Sequence, residues 1–125
     1  MMKVIHSELA PKAVGPYSQA IVAGGFVFAS DQLPIDPDTG EFAEGGIKEQ
    51  TRQSLTNVTH VLAEAGIDLS HVVKTTVFLS DMANFAAMNE VYATFFSEPY
   101  PARSAVAVKT LPKNALVEVE VVAAL

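Results

Sequence analysis

Few side chains in this sequence are placed to do chemistry. Arg103 is the only charge between Glu98 and Lys109, with Pro99 and Pro101 ahead of it and the apolar run Ser104-Ala105-Val106-Ala107-Val108 behind. Pro101 fixes its own φ and pushes Tyr100 toward extended geometry, so the chain is guided through Arg103 into a strand. A guanidinium held this way suits a carboxylate, which its planar fork grips with two parallel hydrogen bonds. It equally suits a structural salt bridge at a strand start. Glu118 and Glu120 follow, with the hydroxyls of Tyr17, Ser30 and Tyr92 and the amide of Asn89. Such a set binds a small carboxylic acid and positions a water. There is no cysteine, so disulfides and thiolate chemistry are excluded. His6, His60 and His71 are scattered without metal-ligand spacing. No G-x-G-x-x-G, P-loop or G-x-S-x-G is present, so neither a metal nor a cofactor is expected.

The elements that must position these groups can be read in order. Lys3 to His6 is a short strand, and the Ala10–Tyr17 stretch is a loop punctuated by two prolines and a glycine. Ser18 to Val22 and Phe26 to Ser30 flank Ala23-Gly24-Gly25 and predict a hairpin. Residues 46–65 predict a helix with Ile47, Thr51, Leu55, Val58, Leu62 and Ala65 on its inner stripe. Gln50, Gln53, Asn57 and Glu64 lie off that stripe, and Gly66 ends the helix. Val72 to Leu79 is a strand. A second helix, capped by Asn84 or Asp81, turns Phe85, Met88, Val91 or Tyr92, and Phe95 inward and stops at Glu98-Pro99. Ser104–Val108 and Leu116–Leu125 complete the order β-β-β-α-β-α-β-β. That order predicts an α+β fold, a mixed six-stranded sheet with two helices on one face. In the last strand Glu118 and Glu120 share one side, and Val117, Val119 and Val121 the other. Either the glutamate side simply faces water, or the short turn through Pro112-Lys113-Asn114 brings Glu118 beside Arg103.

With 125 residues the chain is one domain, 1–125, of ordinary core size. Half its residues are hydrophobic and its mean hydropathy is +0.28, while only 18% are charged. Part of the apolar surface is therefore expected to be covered by other copies of the chain. The net charge of -6 argues against non-specific nucleic-acid binding. The N-terminal residues lack the apolar core of a signal peptide, and no apolar run approaches the roughly 20 residues of a membrane helix. A cytoplasmic location is the simplest expectation.

Several stretches together resemble the RidA family, the reactive intermediate or enamine/imine deaminases. They are Gly15-Pro16-Tyr17-Ser18-Gln19-Ala20, residues 50–58, residues 73–79 and Phe85-Ala86-Ala87-Met88-Asn89. Pro101-Ala102-Arg103-Ser104, Leu111-Pro112-Lys113 and Val117-Glu118-Val119-Glu120 continue the series. The resemblance covers nearly the whole chain. It implies a chorismate-mutase-like fold assembled as a homotrimer with sites between subunits. It also implies cofactor-independent hydrolysis of 2-iminopropanoate and 2-iminobutanoate to 2-oxo acids and ammonia. Carried onto this sequence, it implies Arg103 as carboxylate clamp and Glu118 as the residue that positions or activates water. It further implies Tyr17, Ser30 and Asn89 as pocket lining, the Ala105 backbone at the imine end, and Phe85 and Met88 as wall. A non-catalytic module that binds 2-oxo acids, or a translation-inhibiting ribonuclease or chaperone-like protein, are the other activities attached to such chains. The acidic balance counts against the ribonuclease.

The sequence departs from the pattern at two positions and in one connection. Ala105 stands where relatives often have cysteine, and Asp31 where they often have glycine. A carboxylate at 31 would repel an anionic substrate, and strand alternation predicts that its side chain points away. The connection before Pro101 is also shorter than in many relatives. Substrate preference is what these departures bear on.

Overall fold

The computed structural model describes residues 2–125; Met1 lies outside the described residues. Eight main elements follow the expected order: β1 (Lys3–Ile5), β2 (Ala20–Ala23), β3 (Phe26–Gln32), α1 (Ile47–Glu64), β4 (Val72–Leu79), α2 (Phe85–Phe95), β5 (Ala102–Ala107) and β6 (Val117–Ala124). They form one mixed sheet in the order β1-β2-β3-β6-β4-β5. Only β4 and β5 run parallel, with α2 as their crossover. The β2–β3 hairpin turns on Gly24 and Gly25, both at positive φ (60° and 83°), which only glycine adopts without strain.

The last strand does not pair with β5, although the two are consecutive in sequence. β6 runs instead between β3 and β4 and is antiparallel to both. The residue pattern accounts for this. Val117, Val119, Val121 and Ala123 are buried at every second position, as a central strand under two helices requires. β5, with Arg103 and Ser104 exposed, takes the sheet edge.

Both helices cover the face that carries these valines. Leu55, Val58, Val61 and Leu62 of α1 pack with Val27 and Ala29 of β3, Val77 and Leu79 of β4, and the β6 valines. α2 adds Met88 and Tyr92 to the same core. α1 ends as expected. Gly66 at φ 79° donates to the Ala63 carbonyl and Ile67 to that of Leu62, the left-handed glycine stop. Of the two caps expected for α2, Asp81 does the work: its side chain accepts from Ala83 N and starts a short 3-10 turn into the helix. Asn84 makes no side-chain cap.

The inner stripe of α1 is wider than its apolar periodicity. Gln50 and Asn57, expected off the stripe, are both buried. The Asn57 amide donates to the carbonyls of Leu33 (3.1 Å) and Ile35 (2.9 Å), and Gln50 accepts from Leu116 N (2.9 Å). Each amide satisfies backbone groups of a neighbouring segment that has no ladder partner there. Among the described residues, no helix is long and apolar enough to cross a membrane.

Candidate functional site

β3 and β6 do not stay in step. Ala29 pairs with Val121 but Gln32 pairs with Val119, so β3 carries one extra residue opposite Glu120. Such a bulge breaks the two-residue alternation. As a result Ser30 and Asp31, neighbours in sequence, both line the same pocket with Glu118 and Glu120. The expectation that Asp31 points away is thereby corrected. The pocket is open and about 610 Å³, and its lining also includes Tyr17, Lys12 and Lys113.

Local hydrogen bonds hold the pocket walls. The buried amide of Gln19 accepts from Ser7 N (2.6 Å) and donates to the carbonyls of Ser7 (3.1 Å) and Pro11 (2.8 Å), which pins the loop that carries Lys12 and Tyr17. Ser30 donates to the Ser18 carbonyl (2.7 Å), leaving its oxygen free to accept from a ligand. The tyrosine is half-exposed, its hydroxyl accepting from Val14 N at 3.4 Å. Asn57 holds the opposite wall through the carbonyls of Leu33 and Ile35.

All three carboxyl groups have raised pKa values, with burial the first cause in each. Glu118 is only 8% exposed and forms no ion pair among the described residues. Burial pushes it up, opposed by a hydrogen bond from Asp31. Asp31 is raised from 3.8 to about 6, first by burial and then by its hydrogen bond to the Glu118 carboxylate. Glu120 is raised by burial and by Asp31, against the pull of Thr76 and Lys74. Asp31 thus sits in the middle, donating to Glu118 when protonated. Among the described residues no group of three His, Cys, Asp or Glu is arranged to hold a metal ion.

The arginine lies elsewhere. Arg103 pairs with Thr75, whose side chain is buried under the helices, whereas Glu118 pairs with Phe78 on the open face. The two are two strands apart, about 10 Å, and three residues out of step, about another 10 Å. They also point to opposite sides of the sheet. Sequence adjacency of β5 and β6 therefore does not bring Glu118 beside Arg103, because β4 lies between them.

What surrounds Arg103 is a platform on α2. Its Nη1 donates to Asn89 Oδ1 at 2.7 Å, and the guanidinium stands 4.7 Å from the Tyr92 ring centre and 5.5 Å from that of Phe85. Both contacts are favourable cation–π arrangements. Tyr92 is itself fixed by a buried 2.8 Å hydrogen bond with Thr75. No carboxylate pairs with Arg103 among the described residues, so the salt-bridge reading has no partner here. Ala105 is half-buried on the same strand, whose outer edge has no neighbouring strand among the described residues. Met88 is fully buried in the core and forms no part of a ligand wall.

The residues named from sequence therefore fall into two groups: Tyr17, Ser30 and Glu118 in the open pocket, and Arg103, Asn89, Phe85 and Ala105 around the β5 edge. Lys12 and Lys113 in the pocket carry no signal in the sequence, whereas Tyr92, one of its candidate hydroxyls, lies under the arginine at i+3 from Asn89, and Asp31, a departure from the family pattern, lies in the pocket.

Comparison with known proteins gives consistent matches along the chain. The model of the family described as Endoribonuclease L-PSP matches residues 7–125. A RutC family protein of Pyrococcus horikoshii is 56% identical over 123 residues, 98% of each chain. A 2-iminobutanoate/2-iminopropanoate deaminase of Capra hircus is 43% identical over 121 residues, covering 97% of this chain and 88% of that one. The crystal structure of a conserved Rid family protein from Yersinia pestis superposes with a TM-score of 0.97 at 48% identity, covering 100% of both chains.

Proposed function

This chain belongs to the Endoribonuclease L-PSP family, and from that premise and its likeness to the Capra hircus deaminase we propose that it hydrolyses small 2-imino acids to 2-oxo acids and ammonia. 2-Iminopropanoate and 2-iminobutanoate are the substrates of choice. One observation carries the reading: Arg103 is oriented by Asn89 and Tyr92 yet pairs with no carboxylate among the described residues. A fork so prepared and left open fits the carboxylate of a small acid.

The reaction makes modest demands. The imine carbon is already electrophilic, so what is needed is a fixed substrate and an oriented water. Clamping the carboxylate pre-organises the geometry. Glu118, buried and on the pocket wall, takes a proton from the water as it attacks, a role worth about 10²–10⁴-fold. Tyr17 and Ser30 line the approach.

Arg103 and Glu118 of one chain are too far apart to serve one substrate, so the proposed site joins the pocket of one copy to the β5 edge of the next. A homotrimer with three such sites is the assembly we propose. The open sheet face supports it, with Phe26, Phe28 and Val106 exposed on strands whose other face is core. Light scattering should return three chain masses; a monomer at micromolar concentration would remove the joint site.

Activity is tested by coupling a threonine dehydratase to a semicarbazide trap. The purified protein should suppress imine capture catalytically. Binding of 2-oxobutanoate with no suppression would identify a sensor of 2-oxo acids instead.

A further inference from the structure

The bulge at Ser30-Asp31 places a second carboxyl group against the water-activating one. We propose that Asp31 is the proton donor to the substrate nitrogen, working opposite Glu118 as a base. The proposal rests on the deaminase reading above and adds to it the acid that the reading leaves unassigned. Glu118 alone accounts for the proton that leaves water; the nitrogen, which must depart as ammonia, needs a proton of its own.

The geometry supports the division of roles. Glu118 is nine-tenths buried and forms no ion pair among the described residues, and its carboxylate accepts a hydrogen bond from Asp31. Two carboxyl groups in such contact hold one proton between them, because like charges so close do not both ionise readily. Asp31 is the less buried of the two and keeps its proton to about pH 6. It therefore offers an acid to the pocket where Glu118 offers a base. The groups that face Asp31 are Glu118 and Glu120 of β6, Lys12 and Tyr17 of the loop before β2, and Lys113 of the turn before β6. After burial, Glu118 is what holds the proton on Asp31, and a hydrogen bond with Glu120 works against it.

The steps balance. Water loses a proton to Glu118 and its oxygen bonds to the imine carbon. The C=N π pair moves to nitrogen, which takes the proton of Asp31, giving a carbinolamine. Glu118 then returns its proton to the nitrogen. The C–N bond breaks as the hydroxyl proton passes to the Asp31 carboxylate, leaving a 2-oxo acid and ammonia. Both side chains end as they began, and no oxidant, reductant or metal is consumed.

Asp31→Asn keeps the shape and can still donate a hydrogen bond to Glu118, but it has no proton to transfer. With the imine generated in situ, wild-type kcat should fall as pH rises through about 6. In Asp31→Asn kcat at pH 6 should drop about 100-fold, within the range for a lost acid, and the high-pH limb should vanish. A protonated-carboxyl infrared stretch should titrate near pH 6 in the wild type and be missing from the variant. An active wild type with an equally active Asn variant and the same limb would overturn the acid role while leaving the deaminase reading intact. So would an infrared band that persists in the variant. A wild type that suppresses no imine capture at any pH would overturn the reading itself and the role with it.

Discussion

Asn57 offers a test of how one buried amide shapes the pocket from behind. Its side chain is inaccessible to solvent, and its Nδ2 group donates to two main-chain carbonyls, Leu33 at 3.1 Å and Ile35 at 2.9 Å. Both residues line the pocket. Asn57→Leu keeps the volume and removes both donors. Each buried acceptor left without a partner costs about 1–3 kcal/mol, so the two together should cost about 2–4 kcal/mol, allowing that the 33–35 segment shifts to let water reach one of them. Asn57→Asp should be worse, since a carboxylate would face two carbonyl oxygens. Urea unfolding at a fixed protomer concentration measures both, with the midpoint shifting and the slope unchanged. KM for the imine should rise in the leucine variant as the wall loosens. A leucine variant within about 0.5 kcal/mol of wild type, the spread expected of an uninvolved site, would refute the reasoning. An aspartate variant more stable than the leucine one would do the same.

Three further outcomes are expected. Arg103→Ala should abolish turnover and the thermal shift given by 2-oxobutanoate while the assembly stays folded, and Arg103→Lys should be nearly as damaged because it lacks the fork; an alanine variant that melts early yet keeps the ligand shift would contradict the clamp. Glu118→Gln should abolish turnover but leave 2-oxo acid binding, whereas Glu120→Gln, whose carboxylate leans on Thr76 and Lys74, should lose less than tenfold; equal losses would mean the base is misassigned. Stability should fall as pH rises from about 4 to 6, because Asp31 retains its proton when folded, to about pH 6, but not when unfolded, where it titrates near 3.8. At 1.36 kcal/mol per pH unit that is about 3 kcal/mol, and solvent screening of a half-buried group cuts it to about 1.5. Urea midpoints against pH should show the decline in wild type and much less of it in Asp31→Asn.

Much of this fold was legible because its signals are local. Alternating valines, a paired glycine turn, a glycine stop after α1 and an aspartate before α2 each act within a few residues of themselves. The strand order was not, since nothing near Val117 states that its partners will be Ala29 to Gln32 and Thr75 to Leu79 rather than the adjacent β5. The bulge was equally hidden: no glycine or proline marks Ser30-Asp31-Gln32, and alternation misplaced Asp31. Asn57 and Gln50 read as surface residues because an amide looks polar in any helical projection. Only the carbonyls of Leu33 and Ile35 and the N–H of Leu116, set by distant turns, make those positions interior. Candidate residues such as Arg103 and Glu118 were singled out from sequence, but their division between two faces of the sheet could be seen only in the assembled chain.

The place of β6 has a consequence for how the protein comes into being. Of the eight elements it leaves the ribosome last, yet it is the strand that joins β1-β2-β3 to β4-β5. Until residues 117–124 emerge, the nascent chain holds two sheet fragments with no strand between them. Each has an unpaired edge, the Phe26–Gln32 strand on one and the Val72–Leu79 strand on the other. Edges of this kind, rich in valine and phenylalanine, pair readily with strangers. Translation that stalls before Val117 should therefore yield an aggregation-prone product rather than a smaller folded one, and completion of the sheet should be a single late event that follows synthesis.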